Sequence, residues 1–350
     1  MPDQLENVLY CDTRLGGVKR WYIGRPKDAD MRIPDDVLDS VCFICVKVPG
    51  GHGAEVDFFI GTGFFVSVPS RHPDINYLYL VTARHVLDGA RKQGYSEFYF
   101  RLNRTDGTSF TAGLSGEWFY SENPAEDVAV IPCAFPAEYN IQYRHMPLSM
   151  CITEESAQED KLGIGDELFM VGLFNHRSGE QRNIPIVRTG IIASMPDEPF
   201  EDEEGHSYDA YLMETRSIGG LSGSPVFAYL DPLRPLAGKP QYDLRSLTWE
   251  IKLLGVIRGH WDLKRRDTAR DSYVDVAENA EIDRLNTGIA QVTPIQGVLE
   301  ILNGERLKAY RKEGDDLIAQ RKQPTLDVEL PTKGYEAAGI ITPESFEEAL

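Results

Sequence analysis

The chain has 350 residues, of which 42% are hydrophobic, and its 55 acidic residues outnumber its 36 basic residues, giving a formal net charge of −19. This composition supports a packed core, but it lacks the positive surface that general nucleic-acid binding or attraction to an anionic membrane requires. No apolar run approaches the roughly 18 residues of a membrane span, and residues 1–22 are too polar for a signal peptide. Five cysteines are too few, and odd in number, for a disulfide framework. We therefore expect a cytoplasmic protein with free thiols and no nucleic-acid or membrane partner.

Short segments rich in β-branched and aromatic residues follow one another along most of the chain and are separated by turns. This pattern is typical of an all-β sandwich or barrel. A first series of strands is predicted at residues 41–48, 56–68, 77–82, 97–102 and 128–131. After a polar stretch at 132–146, a second series is predicted at 167–174, 184–194, 210–214, 225–229, 249–257 and 288–292. Helical spacing of apolar residues begins only near residue 294, with helices predicted at 295–302 and 307–321 and a tail beyond them.

Three segments each carry one residue type of nucleophilic acyl transfer: residues 80–86 with His85, residues 126–130 with Asp127, and residues 219–226 with Ser222. A serine hydroxyl needs a base to become a nucleophile, an imidazole accepts its proton near neutral pH, and a carboxylate orients the imidazole. The glycines before the serine allow a tight turn, so we expect the N–H groups of Gly220 and Ser222 to form an oxyanion hole.

The order His, Asp, Ser and the letters around these residues resemble the trypsin-like (chymotrypsin-clan) serine peptidases. Residues 220–225 read Gly-Leu-Ser-Gly-Ser-Pro and residues 82–85 read Thr-Ala-Arg-His, which are similar to the nucleophile and histidine signatures of that family. Residues 61–64, Gly-Thr-Gly-Phe, resemble the strand that leads to its histidine. Further similar strands lie at residues 165–172, 254–257 and 286–294. The resemblance covers about residues 38–302 and is closest in style to the high-temperature-requirement and glutamyl-endopeptidase branches.

This resemblance implies an all-β fold of two six-stranded antiparallel Greek-key barrels with the active site in the crevice between them. It divides the chain into an N-terminal extension (1–38), a first barrel (39–146), a second barrel with its closing helix (147–302) and a helical or disordered C-terminal extension (303–350). His85 would act as general base and then general acid, Asp127 would orient it, and Ser222 would be the nucleophile. The implied chemistry uses no metal or organic cofactor.

Leu221 stands where zymogen-type members of the family have an aspartate before the nucleophile. Activation by an ion pair with a newly cut N-terminus is therefore not expected. We expect control to come from the extensions or from a regulatory protein partner instead.

The resemblance also suggests residues that contact the substrate. Arg216 and Ser217 fall at the specificity pocket. If the Arg216 side chain points into the pocket, it would favour an acidic side chain or repel a basic one; the alternative is that Arg216 faces solvent. Ile257 and Arg258 would line the opposite wall, and 257–259, ending at Gly259, would pair with the substrate backbone as an added strand. A pocket that takes small or apolar residues is equally compatible with Ile257.

Simpler explanations exist for each site residue. His85 could be a polar residue after a strand, Asp127 a helix or turn cap, and Ser222 part of a Gly-rich turn. The similar letters around Ser115 precede Asp127, so the order of the family fails there. Cys42 and Cys45 form a Cys-x-x-Cys that lacks the second pair of ligands a metal site needs.

The predicted function is that of a serine endopeptidase that makes limited cuts in a specific intracellular protein or peptide substrate. The principal alternative is a protease-fold binding module that is catalytically silent or occluded. An esterase on the same fold is a third possibility.

Overall fold

The computed structural model describes residues 9–12, 20–23, 33–73, 75–174, 177–215, 221–230, 250–264 and 284–321. Strands dominate these residues: β1 Leu9–Asp12, β2 Arg20–Ile23, β3 Val41–Pro49, β4 Glu55–Pro69, β5 Asn76–Thr82, β6 Phe98–Arg104, β7 Ser109–Leu114, β8 Phe119–Tyr120, β9 Ala129–Cys133, β10 Ile141–Gln142, β11 Met146–Pro147, β12 Glu167–Leu173, β13 Pro185–Ser194, β14 Phe200–Glu201, β15 Ser207–Tyr208, β16 Tyr211–Glu214, β17 Pro225–Leu230, β18 Glu250–Lys264 and β19 Arg284–Pro294. The α-helices are α1 Asp35–Leu38, α2 Arg84–Lys92, α3 Glu154–Glu159, α4 Ile295–Asn303 and α5 Glu305–Arg321. No helix in these ranges is long and apolar enough to cross a membrane.

The second half of the chain builds a closed antiparallel barrel of six strands. The order is β18-β17-β12-β13-β16-β19, and pairing between β18 and β19 closes the ring. Its interior contains buried apolar side chains from several strands, among them Met170, Ile192, Val226 and Val292.

The first half forms a sheet of nine strands with the central order β10-β6-β3-β4-β5-β9-β8. Strand β3 begins Val-Cys-Phe-Ile-Cys-Val, and all six of these side chains are buried, so the strand is covered on both faces. Phe43, Phe64, Phe65 and Tyr79 are fully buried in the core of this sheet. Each such side chain contributes about 1.5–3 kcal/mol by leaving water.

The predicted strands correspond to β3–β6, β9, β12, β13 and β16–β19, and the fold is mainly β, consistent with the two-barrel fold that the resemblance implied. The second half forms the expected closed six-stranded barrel, whereas the first half forms a sheet of nine strands rather than six. The predicted helices correspond to α4 and α5. The helices α1, α2 and α3 and the strands β1, β2, β7, β8, β10, β11, β14 and β15 were not predicted. Apart from β7 these strands have only two to four residues, and α3 has six residues and buries none of them. The expected tail from residue 324 lies outside the described residues.

The N-terminal region was expected to be an extension over the surface. Its described segments form the hairpin β1–β2, and Tyr22 pairs with Glu250 at the start of β18. The hairpin therefore continues the sheet of the second barrel.

Helix α5 packs against the first sheet through a buried carboxylate. Asp315, only 6% exposed, accepts hydrogen bonds from Ser70 Oγ at 2.5 Å and Arg71 Nε at 2.9 Å, and the Tyr77 hydroxyl lies 2.9 Å from it. Burial alone would raise the pKa of Asp315, but these hydrogen bonds prevail and lower it to about 2. The C-terminal helix is thus fastened to the turn that precedes strand β5.

Asp315→Asn removes a charged acceptor and should lower the free energy of unfolding by roughly 2 kcal/mol at pH 7. Because the pKa of Asp315 in the folded chain lies below its ordinary value of 3.8, its contribution is present above about pH 4 and is lost as the pH falls toward 2. Urea unfolding followed by tryptophan fluorescence should therefore show the wild type and the variant converging at low pH. Asp316→Asn is the matched control, since Asp316 is exposed and has a 3.4 Å contact with Arg71. Equal losses in the two variants would contradict this assignment.

Candidate active site

The pairing of strands β5 and β9 brings the predicted histidine and aspartate together. Thr82, the last residue of β5, lies opposite Ala129, the first residue of β9. In an antiparallel pair, residues just after one strand end and just before the other begin lie at the same edge. His85 and Asp127 are such residues, although they are 42 positions apart in the chain.

Asp127 holds His85 by two hydrogen bonds. Its Oδ2 lies 2.6 Å from the ring Nδ1, and its Oδ1 accepts a bond from the backbone N–H of His85 at 2.8 Å. The carboxylate is 6% exposed, whereas the histidine side chain is 47% exposed. The ring is therefore fixed at Nδ1, while Nε2 points away from the carboxylate.

His85 does not end a strand, as the sequence suggested, but lies in the first turn of α2. The N–H groups of a first helical turn have no partner within the helix, and the helix start carries partial positive charge. Asp127 satisfies one of these N–H groups. Asp127 therefore caps the helix with Oδ1 and is the partner of the imidazole with Oδ2.

Ser222 lies on a tight turn that requires a glycine. The N–H of Ser224 donates to the carbonyl of Leu221 at 3.0 Å, and Gly223 between them has φ +85°. A closing bond with positive φ at the third residue is characteristic of a type II turn, which favours glycine there. A Cβ on Gly223 would come within 2.1 Å of the Thr62 carbonyl oxygen.

Backbone bonds join this turn to the first sheet beside His85. The N–H of Thr62 donates to the carbonyl of Ser222 at 2.9 Å. A Cβ placed on Gly61 would lie 2.8 Å from Val86 Cγ1 and 3.2 Å from the same carbonyl oxygen. The residue after His85 and the backbone of Ser222 therefore meet at one point, and the glycine leaves the space for it. No sequence signal beyond the Gly-Thr-Gly letters pointed to this role of Thr62.

Strand β18 supports the other side of the turn. The N–H of Ile257 donates to the carbonyl of Ser224, and its carbonyl accepts from the N–H of Gly223, both at 2.9 Å. The sequence suggested that the Ile257 side chain lines a substrate pocket. That side chain is fully buried with Leu221 in the core of the second barrel, so only the backbone of Ile257 is available at the site.

A cleft of about 680 Å³ opens beside the histidine. His85 and Asp127 line it from the first sheet, and Arg258 and Gly259 line it from β18. A Cβ on Gly259 would meet no heavy atom within 4 Å, so this part of the strand is open.

Arg258 has partners in both halves of the chain. Its Nη1 donates to the carbonyl of Ala125 at 2.5 Å, and its guanidinium carbon lies 3.8 Å from the centre of the Tyr208 ring. Neither Ala125 nor Tyr208 was singled out from the sequence, because nothing in their local letters marks a contact across the cleft. The remaining predicted residues, Arg216, Ser217 and Gly220, lie outside the described residues.

Asp202, Glu204 and His206 at the cleft rim have potential ligand atoms within 4.8 Å of one another. Asp202 Oδ1 accepts bonds from the N–H groups of Glu204 and His206, and Oδ2 lies 3.2 Å from His206 Nδ1. The backbone bond from His206 is the largest cause that lowers the pKa of Asp202. These contacts form a closed turn between β14 and β15, and we assign no metal site to it.

Residues 61–231 match the family model described as "Trypsin-like peptidase domain". Among solved structures, the chain is similar to the MamO protease domain from Magnetospirillum magneticum (13% identity, covering 77% of this chain and 98% of that one, TM-score 0.40). It is also similar to the HtrA-type protease AlgW with a decapeptide (15% identity, 77% and 64% covered, TM-score 0.41) and to the active form of the Rv3671c protease from M. tuberculosis (16% identity, 80% and 92% covered, TM-score 0.39). No curated protein matches the chain.

Gly223→Ala should destabilise the fold by about 2–4 kcal/mol, because it places a side chain at positive φ and against the Thr62 carbonyl. Thermal or urea unfolding measures this loss. Gly51→Ala is the control, since its new Cβ would meet no heavy atom within 4 Å. A Gly223→Ala variant as stable as the control would show that the turn does not need its glycine.

Proposed function

Since residues 61–231 belong to the trypsin-like peptidase family and the chain is a serine protease of that type, we propose that His85, Asp127 and Ser222 are its catalytic triad. The observation that carries this proposal is the double hydrogen bond from Asp127 to the ring and the backbone of His85. A carboxylate that accepts hydrogen bonds from both the ring Nδ1 and the backbone N–H of the histidine fixes the tautomer with a proton on Nδ1. Nε2 is then left as the base.

In the proposed reaction, Ser222 Oγ attacks the carbonyl carbon of the scissile peptide bond while His85 Nε2 takes its proton. The carbonyl oxygen becomes an oxyanion, which the N–H groups of Gly220 and Ser222 stabilise. Collapse of this intermediate expels the amine, which takes the proton from Nε2, and leaves an acyl-enzyme on Ser222. Water then hydrolyses the ester with His85 again as base. Each oxyanion donor in such a site typically contributes 10²–10³ in rate.

The substrate is proposed to bind as an added strand on β18. Pairing with β17 ends at Val256, whereas β18 continues to Lys264 beside β19. Within the described residues, no strand pairs with the β17 side of β18 after Ile257. An extended peptide fits this edge, because its backbone can pair with that of β18 beside Gly259, where a Cβ would meet no heavy atom within 4 Å. We propose that a specific protein, cut at a limited number of sites, is the natural substrate.

A fluorophosphonate probe tests the nucleophile directly, because it reacts with a serine only when a base activates it. We expect labelling of the wild type and none of Ser222→Ala, while Ser115→Ala should label like the wild type. Mass spectrometry of the labelled peptide identifies the modified serine. Equal labelling of wild type and Ser222→Ala would place the nucleophile elsewhere, and no labelling of the wild type would favour the binding-module alternative.

We also propose that helix α5 stabilises the first sheet, at whose edge His85 and Asp127 lie. Leu307 is buried in the core of the first sheet, and the Asp315 contacts lie at the start of the strand that leads to His85. A chain that ends after Arg321 keeps these contacts, whereas one that ends after Leu302 loses them. We expect wild-type probe labelling from the first and a lower melting temperature with slower labelling from the second. Identical behaviour of the two chains would remove this role of the helix.

A further inference from the structure

One loop carries Asp127, and it is tied to the second barrel at three points. Asn123 Nδ2 donates to the carbonyl of Ser207 at 2.8 Å. Ala125 packs with Tyr208 and Ala210 in a small buried apolar cluster. Arg258 donates to the Ala125 carbonyl, two residues before Asp127. The carboxylate that orients His85 therefore depends on contacts made by the other half of the chain.

The Asn123 side chain makes this loop compact. Its Oδ1 accepts a hydrogen bond from the N–H of Ala125 at 3.0 Å. The backbone carbonyl of Asn123 accepts another from the N–H of Glu126 at 3.1 Å. The chain direction at Ala125 is thus set locally, and a bond to the Ala125 carbonyl acts on a stiff segment. A small displacement there is transmitted to Asp127.

Arg258 is suited to hold this carbonyl because its own position is fixed. Its guanidinium lies 3.8 Å from the centre of the Tyr208 ring, and Tyr208 stacks in turn on Phe200 at 5.7 Å. A planar guanidinium can stack on a ring and donate in its plane at the same time, which an ammonium group cannot do.

We propose that Arg258 is a positioning residue that holds the Asp127 loop against the second barrel and thereby sets the Asp127–His85 hydrogen bond. The proposal rests on the proposed triad. Arg258 also lies between Ile257, which braces the Ser222 turn, and Gly259, where the substrate is proposed to bind. One residue of β18 thus connects the substrate edge with the carboxylate on the opposite wall of the cleft.

The first readout requires no turnover. The His85 Nδ1–Asp127 Oδ2 hydrogen bond is short, at 2.6 Å. We therefore expect its proton to resonate far downfield in a proton NMR spectrum. The resonance is assigned by its loss or shift in Asp127→Asn, which removes the carboxylate. We expect it to shift upfield or broaden in Arg258→Ala and to be recovered only in part in Arg258→Lys, which keeps the charge but loses the planar stack. Arg91→Ala is the matched control, because Arg91 also lies over a tyrosine ring, that of Tyr120, and donates to its hydroxyl. An unchanged resonance in Arg258→Ala overturns the proposal.

The second readout is a double-mutant cycle on peptide hydrolysis. We expect Arg258→Ala to lower kcat roughly 10- to 100-fold, with KM changed less than about 2-fold. If Arg258 acts through Asp127, the same substitution in an Asp127→Asn background should cause little further loss. Additive effects would show that Arg258 acts independently of Asp127, and a rise in KM alone would indicate a direct substrate contact. Either result overturns the proposal.

The two proposals fail in different ways. A wild type that neither labels nor cleaves contradicts the proposed function, and the downfield resonance still decides the role of Arg258. If the probe labels the wild type but the downfield resonance is unchanged in Arg258→Ala, the positioning role is contradicted and the proposed triad is not. Arg258→Lys retains the charge and the aliphatic stem, so it serves as the folded reference if Arg258→Ala is unstable.

Discussion

The buried carboxylate of Asp127 is the interaction on which the site depends. A negative charge removed from water is costly unless hydrogen bonds replace its hydration. Here one oxygen receives a backbone N–H at the start of helix α2, and the other receives the imidazole of His85. The helix start and the ring thus share one partner, so the direction of the helix and the orientation of the ring cannot vary independently. Strand pairing between Thr82 and Ala129 sets the distance that makes this possible.

Much of this arrangement could be predicted because its determinants are local. The letters around Ser222 indicate a Gly-rich turn, and the positive φ of Gly223 explains why glycine stands there. The letters around His85 indicated a strand end, whereas His85 lies in the first turn of helix α2. Alternating and continuous apolar runs predicted most strands of both sheets, since burial of β-branched and aromatic side chains determines them locally. The order His, Asp, Ser then supplied the arrangement of the two halves through the family resemblance.

The remaining features arise from contacts between distant residues, which a local pattern does not encode. The contact of Arg258 with Ala125 spans 133 positions, and no spacing rule relates the two residues. Ile257 illustrates the converse: its place near the nucleophile was expected, but whether its side chain faces the cleft or the core depends on strand register. The pairing of the N-terminal hairpin with Glu250 likewise could not be predicted from the sequence, because a short strand at a sheet edge has no burial pattern of its own.

The attachment of helix α5 also bears on when the enzyme is completed during synthesis. Asp315 follows its partner Tyr77 by 238 positions. At about 5–20 residues per second, a ribosome needs on the order of 10–50 s to make that stretch. The first sheet therefore leaves the ribosome without its C-terminal helix, and the Ser222 turn lacks its brace until Ile257 has emerged. The nascent chain therefore cannot hold the Ser222 turn in place during this interval, and the proposed active site is complete only late in synthesis.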